Sequence, residues 1–363
     1  MKIYFDDIIF ELQKAGGISK YWAKLCSNFS NLSLINLEGK EAYKNVFYPK
    51  DIKVIESDSK FPLGIRRYLP ILRRINCDIY HSSYYRIPFL INKNAKQIVT
   101  VHDFMYEFFD TGIKKKIHIW QKRKAMLNAD AIICVSEHTK KDLQLLYPEI
   151  NKDILYVVPN GVDEDFIQLK EKKKVIKIGA MQFNQNLFLL YVGTRMGCKN
   201  FNFIFDLIEK SKLIKDKNLK LVCIGGGEFT KEEKEKFNNL NYSHNVININ
   251  NVDNYVLNDL YNSAYALLFP SLYEGFGIPA LEAQKSGCPV IYAKTSSLPE
   301  VVVYTELGYT LNNIEEAENT LNLLENNEIR SELISRGVEH ASRLSWKNTA
   351  QMTLDVYKKV MDS

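Results

Sequence analysis

Residues 268–287 read LFPSLYEGFGIPALEAQKSG, and this string decides how the chain is organised. Its first part ends a buried strand, an apolar run over 264–269 that Pro270 and Ser271 terminate. Its second part starts a helix. Pro279 suits a first turn, where its missing N–H has no partner to lose, and Gly287 suits a left-handed C-terminal cap. Gly275, Phe276 and Gly277 therefore fall on a strand-to-helix loop, where backbone N–H groups and a positive helix end favour an anion. Glycine there lets a phosphate or a sugar approach the backbone closely. Glu274 stands at the strand end and Glu282 about one turn inside the helix. From that position a carboxylate can accept two hydrogen bonds from a vicinal diol such as a ribose. Taken alone, the pair is equally a dipole-compensating acid and a surface loop residue.

Working outward, short apolar runs alternate with longer amphipathic stretches. Strands are predicted at 2–5, 77–81, 97–102, 131–135 and 154–158, then at 188–192, 219–224, 246–248, 264–269 and 289–292. Helices are predicted at 19–29, 139–146, 202–210, 231–237 and 279–285. Such alternation implies α/β domains with parallel sheets covered by helices on both faces. The strands read as continuous apolar runs, as strands buried on both sides should. Two stretches also begin alike: the first strand leads to Gly16 and Gly17 and a helix, and the strand at 188–192 leads to Gly193 and a helix. The chain of 363 residues is thus expected to form two Rossmann-like, doubly wound parallel-sheet domains facing across a deep cleft. The first is expected over 1–165 and the second over 175–345, joined between 159 and 174 by a turn-rich, charged connector.

Composition excludes several classes. Hydrophobic residues make up 46% and charged residues 25%, values of an ordered globular protein. No run approaches the roughly 18 apolar residues of a membrane helix. The start, MKIYFDDIIFELQKAGG, has acids where a signal peptide needs an apolar core, so a cytoplasmic protein is expected. Six scattered cysteines without paired spacing read as buried free thiols rather than disulfides or a zinc site. The net charge of +5 is uneven, with 26 basic against 20 acidic residues over 1–170. It concentrates in GIRRYLPILRRI (64–75) and KKKIHIWQKRK (114–124). Each reads as a solvated face; the second alternatively reads as a helix drawn to an anionic membrane surface through Ile113, Ile117 and Trp120. No nucleic-acid motif accompanies the charge. Asp163, Glu164 and Asp165 spell a D-x-D at the domain join and read as a solvated linker, not a metal site.

The longer string FPSLYEGFGIPALEAQKSGCPVI (269–291) strongly resembles the nucleotide-binding signature of retaining GT-B glycosyltransferases of family 4. The resemblance continues in AGGISKY (15–21), TVHDFMYE (100–107), AIICVSEHTKKDL (131–143), VVPNGVD (157–163), LYVGTRMGCKNF (190–201), LVCIGGGE (221–228) and SSLPEV (296–301). LSWKNTAQMTLDVYKKV (344–360) resembles the family's C-terminal helix, which implies that 346–363 packs back on the N-terminal domain.

The resemblance implies a GT-B fold, with an acceptor-binding first domain and a second domain that binds a nucleoside-diphosphate sugar, UDP- or GDP-linked, without a cofactor or metal. It implies that Arg195 and Lys199 clamp the donor diphosphate, with Gly16, Gly17 and Gly193 close by. Glu282 holds the ribose. Glu274, Gly275, Phe276, Gly277 and Ile278 contact the donor sugar and phosphate, and Gly225, Gly226 and Val252 line the base pocket. His102 contacts the sugar near the reacting carbon, and His102, Glu274, Arg195 and Lys199 are the expected catalytic set. Glu274 is not expected to act as a glycosidase-type nucleophile. One departure is Thr194, where many relatives carry arginine. The acceptor is expected to be a surface glycan or a polyprenyl-diphosphate-linked oligosaccharide, bound in part by loops in 39–70 at the inner face of the cytoplasmic membrane. Two rivals share the two-domain plan: a GT-B-fold UDP-sugar epimerase, and a non-catalytic two-lobed protein that binds glycans or nucleotides.

Overall fold

A computed structural model describes residues 1–29, 32–35, 42–49, 53–54, 61–171, 173–179 and 181–362. Of the loops expected to meet the acceptor, 39–41, 50–52 and 55–60 lie outside the described residues. The chain divides into two compact units, Met1–Gly161 with Trp346–Ser363, and Val162–Ser345.

Unit 1 begins with β1 (Ile3–Asp6), α1 (Ile8–Leu12), α2 (Gly17–Asn28), β2 (Leu32–Ile35) and β3 (Lys53–Val54). It continues through α3 (Leu63–Arg66), β4 (Ile71–Ile75), β5 (Ile79–Ser82), β6 (Pro88–Ile91) and β7 (Lys96–Val101). Then come α4 (Met105–Phe109), α5 (Ile113–Leu127), β8 (Ala131–Cys134), α6 (Glu137–Leu146) and β9 (Leu155–Val157). Seven strands pair in the order β3-β2-β1-β5-β7-β8-β9, every pair parallel. β1, β5 and β8 are buried along their whole length, which explains their unbroken apolar runs. The order reverses between β1 and β5, so the loops after these two strands flank the crevice where such sheets bind ligands.

The basic stretch 64–75 is not the solvated face expected. Its end is the strand β4, paired with β6, and Ile71 and Ile75 pack with Tyr4, Cys77 and Tyr80. Arg66 is buried and ion-paired with Glu11.

Unit 2 opens with an antiparallel hairpin, β10 (Val175–Ile178) and β11 (Met181–Asn184). It continues with β12 (Phe188–Val192), α7 (Asn202–Lys210), α8 (Lys212–Asp216), β13 (Lys220–Ile224), α9 (Lys231–Asn239) and β14 (Val246–Ile249). Next are α10 (Asn254–Ser263), β15 (Ala266–Phe269), α11 (Ile278–Lys285), β16 (Val290–Ala293) and α12 (Leu298–Val301). β17 (Gly308–Tyr309), α13 (Ile314–Leu323) and α14 (Asn327–Arg343) close it. The parallel sheet runs β14-β13-β12-β15-β16-β17, the Rossmann order with its reversal between β12 and β15. The loops after those two strands are the phosphate-type loop at 193–200 and the glycine loop at 270–277.

The D-x-D is not a solvated linker. Asp163 is 3% exposed, and Asn254 Nδ2 donates to both Asp163 Oδ2 and Asp165 Oδ2, at 3.3 and 2.9 Å. Lys285 Nζ donates to the Asp163 carbonyl at 2.9 Å. These bonds hold the start of unit 2 against α10 and α11. All six cysteines are free and buried.

The chain then re-enters unit 1 as α15 (Trp346–Met361). This helix packs on α2. Its Thr349 hydroxyl donates to the Pro159 carbonyl at 2.8 Å, and Tyr357 is fully buried.

Candidate active site

In unit 2, α11 is started by Gly277 and Pro279. Gly277 has φ +104°, and a Cβ there would lie 2.9 Å from Leu298 Cδ2. Only glycine takes that position without strain. Behind the loop, Ser297 Oγ lies 2.9 Å from the carbonyl oxygens of both Glu274 and Phe276 and donates to them. Ser296 Oγ accepts from the Glu274 N–H at 2.8 Å. The serine pair of SSLPEV is thus a brace for the glycine loop, a role the sequence reading did not assign.

Glu274 is 8% exposed. Its Oε1 accepts from Lys199 Nζ at 2.5 Å and from Ser271 Oγ at 2.7 Å. The loop carrying Lys199 is joined to the same place, since Leu272 N–H donates to the Cys198 carbonyl at 2.7 Å. The switch point therefore presents one ammonium and one carboxylate, a pair suited to a diphosphate on one side and sugar hydroxyls on the other. Glu282 on α11 is 5% exposed. The Tyr261 hydroxyl lies 3.5 Å from its Oε2. Burial, and then the carboxylate itself, push the Tyr261 phenol well above its ordinary range, so it stays a donor. Gly275, Phe276 and Ile278 sit on the same loop and helix start. Val252 is half-buried on the segment between β14 and α10.

Arg195 is placed differently from the expectation. A guanidinium has five N–H donors, and here all are engaged. Nε donates to Glu233 Oε1 at 2.9 Å. Nη1 donates to the Gly225 carbonyl and Asn248 Oδ1, at 3.0 and 3.2 Å. Nη2 donates to the carbonyls of Gly227 and Glu228, both at 2.9 Å. Gly225, Gly226 and Gly227 have φ of +82, +77 and +74°, a left-handed run that turns carbonyls onto this cation. A Cβ on Gly226 would meet Arg195 Nη1 at 2.9 Å. Arg195 is thus the core of the Gly225–Gly227 turn rather than a diphosphate clamp. Lys199 is left as the cation of the pair that faces Glu274.

In unit 1, Gly16 and Gly17 form the entry to α2. Gly16 is extended at φ 179°, and a Cβ there would lie 2.5 Å from Gln13 Oε1, which accepts from the Ser19 N–H at 3.1 Å. Its smallness makes room for a glutamine cap.

His102 follows β7. Its ring packs edge-on to Tyr21 at 4.9 Å, and its Nε2 is enclosed without a hydrogen-bond partner. Burial, with the Lys122 charge second, pushes the imidazole down to about 3, so it is neutral at physiological pH. Lys122 is 1% exposed and is the hidden support of this turn. Its Nζ donates to the Asp103 carbonyl at 2.6 Å, pairs with Glu107 Oε1 at 3.0 Å and lies 3.8 Å over the Phe104 ring. Deeper still, His81 shares hydrogen bonds with Thr100 Oγ1 at 2.8 Å and with the Tyr357 hydroxyl of α15 at 2.5 Å. Neither Lys122 nor His81 carries a local signal: one stands in a basic run, the other in an apolar strand.

Comparison with known proteins bears on the fold and the family. The family described as "Glycosyl transferases group 1" matches residues 172–340, and "Glycosyltransferase Family 4" matches 36–166. The O-antigen chain mannosyltransferase RfbU of Salmonella typhimurium is 28% identical over 283 residues, which are 77% of this chain and 72% of that protein. The structure of Anabaena HepE with UDP and glucose superposes with TM-score 0.72 over 99% of both chains, at 14% identity. TarM superposes with TM-score 0.60 at 17% identity, over 77% of this chain and about half (54%) of its own. The fold is GT-B, and the two family matches, one to each part of the chain, mark a transferase of the family 4 type. It is a glycosyltransferase, and neither the epimerase nor the non-catalytic alternative is favoured.

Proposed function

We propose that this enzyme transfers a hexose, with retention of configuration and without a metal, from a nucleoside-diphosphate sugar to a growing surface glycan. The observation that carries the reading is the Lys199–Glu274 pair at the switch point of unit 2, with the buried Glu282 about one turn inside the helix that follows. Lys199 stabilises the charge that builds on the leaving diphosphate. Glu274 and the amides of 275–278 hold the sugar, and Glu282 holds the ribose. The neutral imidazole of His102 accepts or donates a hydrogen bond at the transferred sugar. The bond from the anomeric carbon to the diphosphate breaks, and the acceptor oxygen attaches on the same face. The acceptor's proton passes to the leaving phosphate oxygen. The name of RfbU favours mannose and an O-antigen-type acceptor.

Thermal unfolding with UDP, GDP, ADP and CDP, with and without magnesium, tests this. A nucleotide at about 100 times its Kd should add roughly 2.7 kcal/mol. One base should stabilise the wild type, Glu282→Ala should lose the response, and magnesium should not alter it. Silence with all four would overturn the donor site; a magnesium requirement would overturn the metal-free reading.

The membrane face belongs to the same reading. Ile113, Ile117, Trp120 and Leu127 are exposed on the outer side of α5, Trp120 at 56%, beside exposed Lys114, Lys116, Arg123 and Lys124. This combination supports docking on anionic lipid and a lipid-linked acceptor. Among the described residues no helix is long and apolar enough to cross a membrane. Vesicles containing phosphatidylglycerol should sediment the protein at low salt, and Trp120→Glu should abolish this.

A further inference from the structure

Three consecutive hydroxyl residues, Thr295, Ser296 and Ser297, follow β16. β16 pairs in parallel with β15, so the turn they form emerges beside the glycine loop that follows β15. All three side chains engage that loop. Thr295 Oγ1 donates to the Ser271 carbonyl at 2.7 Å. Ser296 Oγ accepts from the Glu274 N–H, and Ser297 Oγ shares its one proton between the Glu274 and Phe276 carbonyls.

Two of these contacts are made against local preference. Ser296 has φ +46°, in the left-handed region that disfavours any residue with a Cβ. Glycine would make that turn more easily, but it could not accept from Glu274. Ser297 is the N-cap residue of α12, where a serine ordinarily accepts from an N–H of its own helix. It makes no such bond. At 0% exposed, its hydroxyl serves the neighbouring loop instead.

The consequence follows from peptide geometry. A planar trans peptide points its C=O and the next N–H in opposite directions. Ser297 holds the Phe276 carbonyl behind the loop, so the Gly277 N–H leaves on the other side. The Ile278 N–H follows it at the start of α11. Among the described residues neither amide has an acceptor. A glycine-rich loop without the brace would sample both orientations of its peptide planes, and a carbonyl turned forward accepts where an amide should donate.

We propose that Thr295, Ser296 and Ser297 are positioning residues for the transferred sugar, setting the peptide planes of the glycine loop so that the Gly277 and Ile278 amides donate to its oxygens. The proposal rests on the transferase reading above and adds to it the residues that preorganise the donor-sugar contacts.

The test compares wild type with Ser296→Gly and Ser297→Ala by calorimetric titration of GDP, GDP-mannose, UDP, UDP-glucose and UDP-N-acetylglucosamine, alongside Tm. In Ser296→Gly the relief of the positive φ offsets the lost bond, so Tm should stay near that of wild type. The ratio of the nucleotide-sugar Kd to the Kd of its nucleotide should nevertheless rise roughly tenfold in both variants, the scale of one lost hydrogen bond. The nucleotide's own Kd, set by Lys199 and Glu282, should stay within about twofold of wild type. A residue needed only for the fold would not separate the two affinities. An unchanged ratio in Ser296→Gly overturns the proposal, as does an equal weakening of nucleotide and nucleotide-sugar. Should Ser297→Ala fail to fold, Ser296→Gly carries the comparison. A wild type that binds neither nucleotide would overturn the transferase reading, and the proposal with it; a wild type that binds one, with variants that match it throughout, overturns the proposal alone.

Discussion

Arg195 and Lys199 share one loop and do different work. The guanidinium closes a turn of three left-handed glycines, whereas the ammonium meets Glu274 at 2.5 Å. Removing Arg195 takes the cation from the Glu233 carboxylate and a donor from three carbonyl oxygens, of which Gly227 keeps Asn248 Nδ2. Arg195→Met should therefore cost about 3–5 kcal/mol of stability, the range for breaking a buried ion pair, read from urea unfolding. Lys199→Met should cost less, because Lys199 is partly exposed and Ser271 Oγ still donates to Glu274 Oε1, and it should abolish the nucleotide response. If the two variants exchange these outcomes, the assignment of the loop is wrong. The histidines supply a pH prediction. Burial pushes His102 and His118 down to about 3, with Lys122 contributing second in both, and lowers His81 well below its ordinary value. The folded state therefore binds fewer protons than the unfolded chain below pH about 6.5, and stability present above that value is lost as pH falls. The loss approaches about 1.4 kcal/mol per pH unit for each histidine. Asp7, raised chiefly by burial, works in the opposite sense, its contribution fading as pH rises through its elevated value. Urea midpoints at pH 7.5 and 5.5 should differ accordingly, and His118→Phe should flatten the difference.

The element that starts the site, α11, was legible because everything it needs is local: the glycine, the proline and the acid follow one another in the string. Gly277→Ala should cost about 1–3 kcal/mol through its positive φ and the contact with Leu298, measured as a lowered Tm with a weakened nucleotide shift. An unchanged Tm would mean that the turn relaxes. Other elements were not legible. β4 reads ILRRI and β10 reads VIKI, charged strings that resemble solvated helix or connector, and only pairing with β6 and β11 makes them strands. The role of Arg195 was hidden for a related reason. Its position near Gly193 suggests a phosphate ligand, while Glu233 and Asn248, which claim it, lie 38 and 53 residues away. Helix α5 was half legible: its apolar stripe was visible, but nothing in the basic run distinguishes the buried Lys122 from its exposed neighbours.

At the scale of the molecule, the two-domain α/β plan could be read from strand–helix alternation, since each parallel strand buried on both faces leaves an apolar run. Membership of α15 in unit 1 rested on resemblance to a terminal motif, because its bonds to the Pro159 carbonyl and to His81 join residues far apart in the chain. Deleting 346–362 should remove the partner of His81 Nδ1 and uncover α2. Calorimetry should then lose the unit 1 transition and keep a nucleotide-responsive transition for unit 2. Survival of both would show that α15 is dispensable.

That same return of the chain sets an order of events during synthesis. Unit 2 is one uninterrupted segment and can fold as soon as residue 345 clears the ribosome, since domains generally fold as units. The sheet of unit 1 emerges first, yet the helix that covers α2 is translated only after all of unit 2. Unit 1, begun before unit 2, is completed after it, and while unit 2 is being translated the uncovered apolar face of α2 is a surface for chaperones.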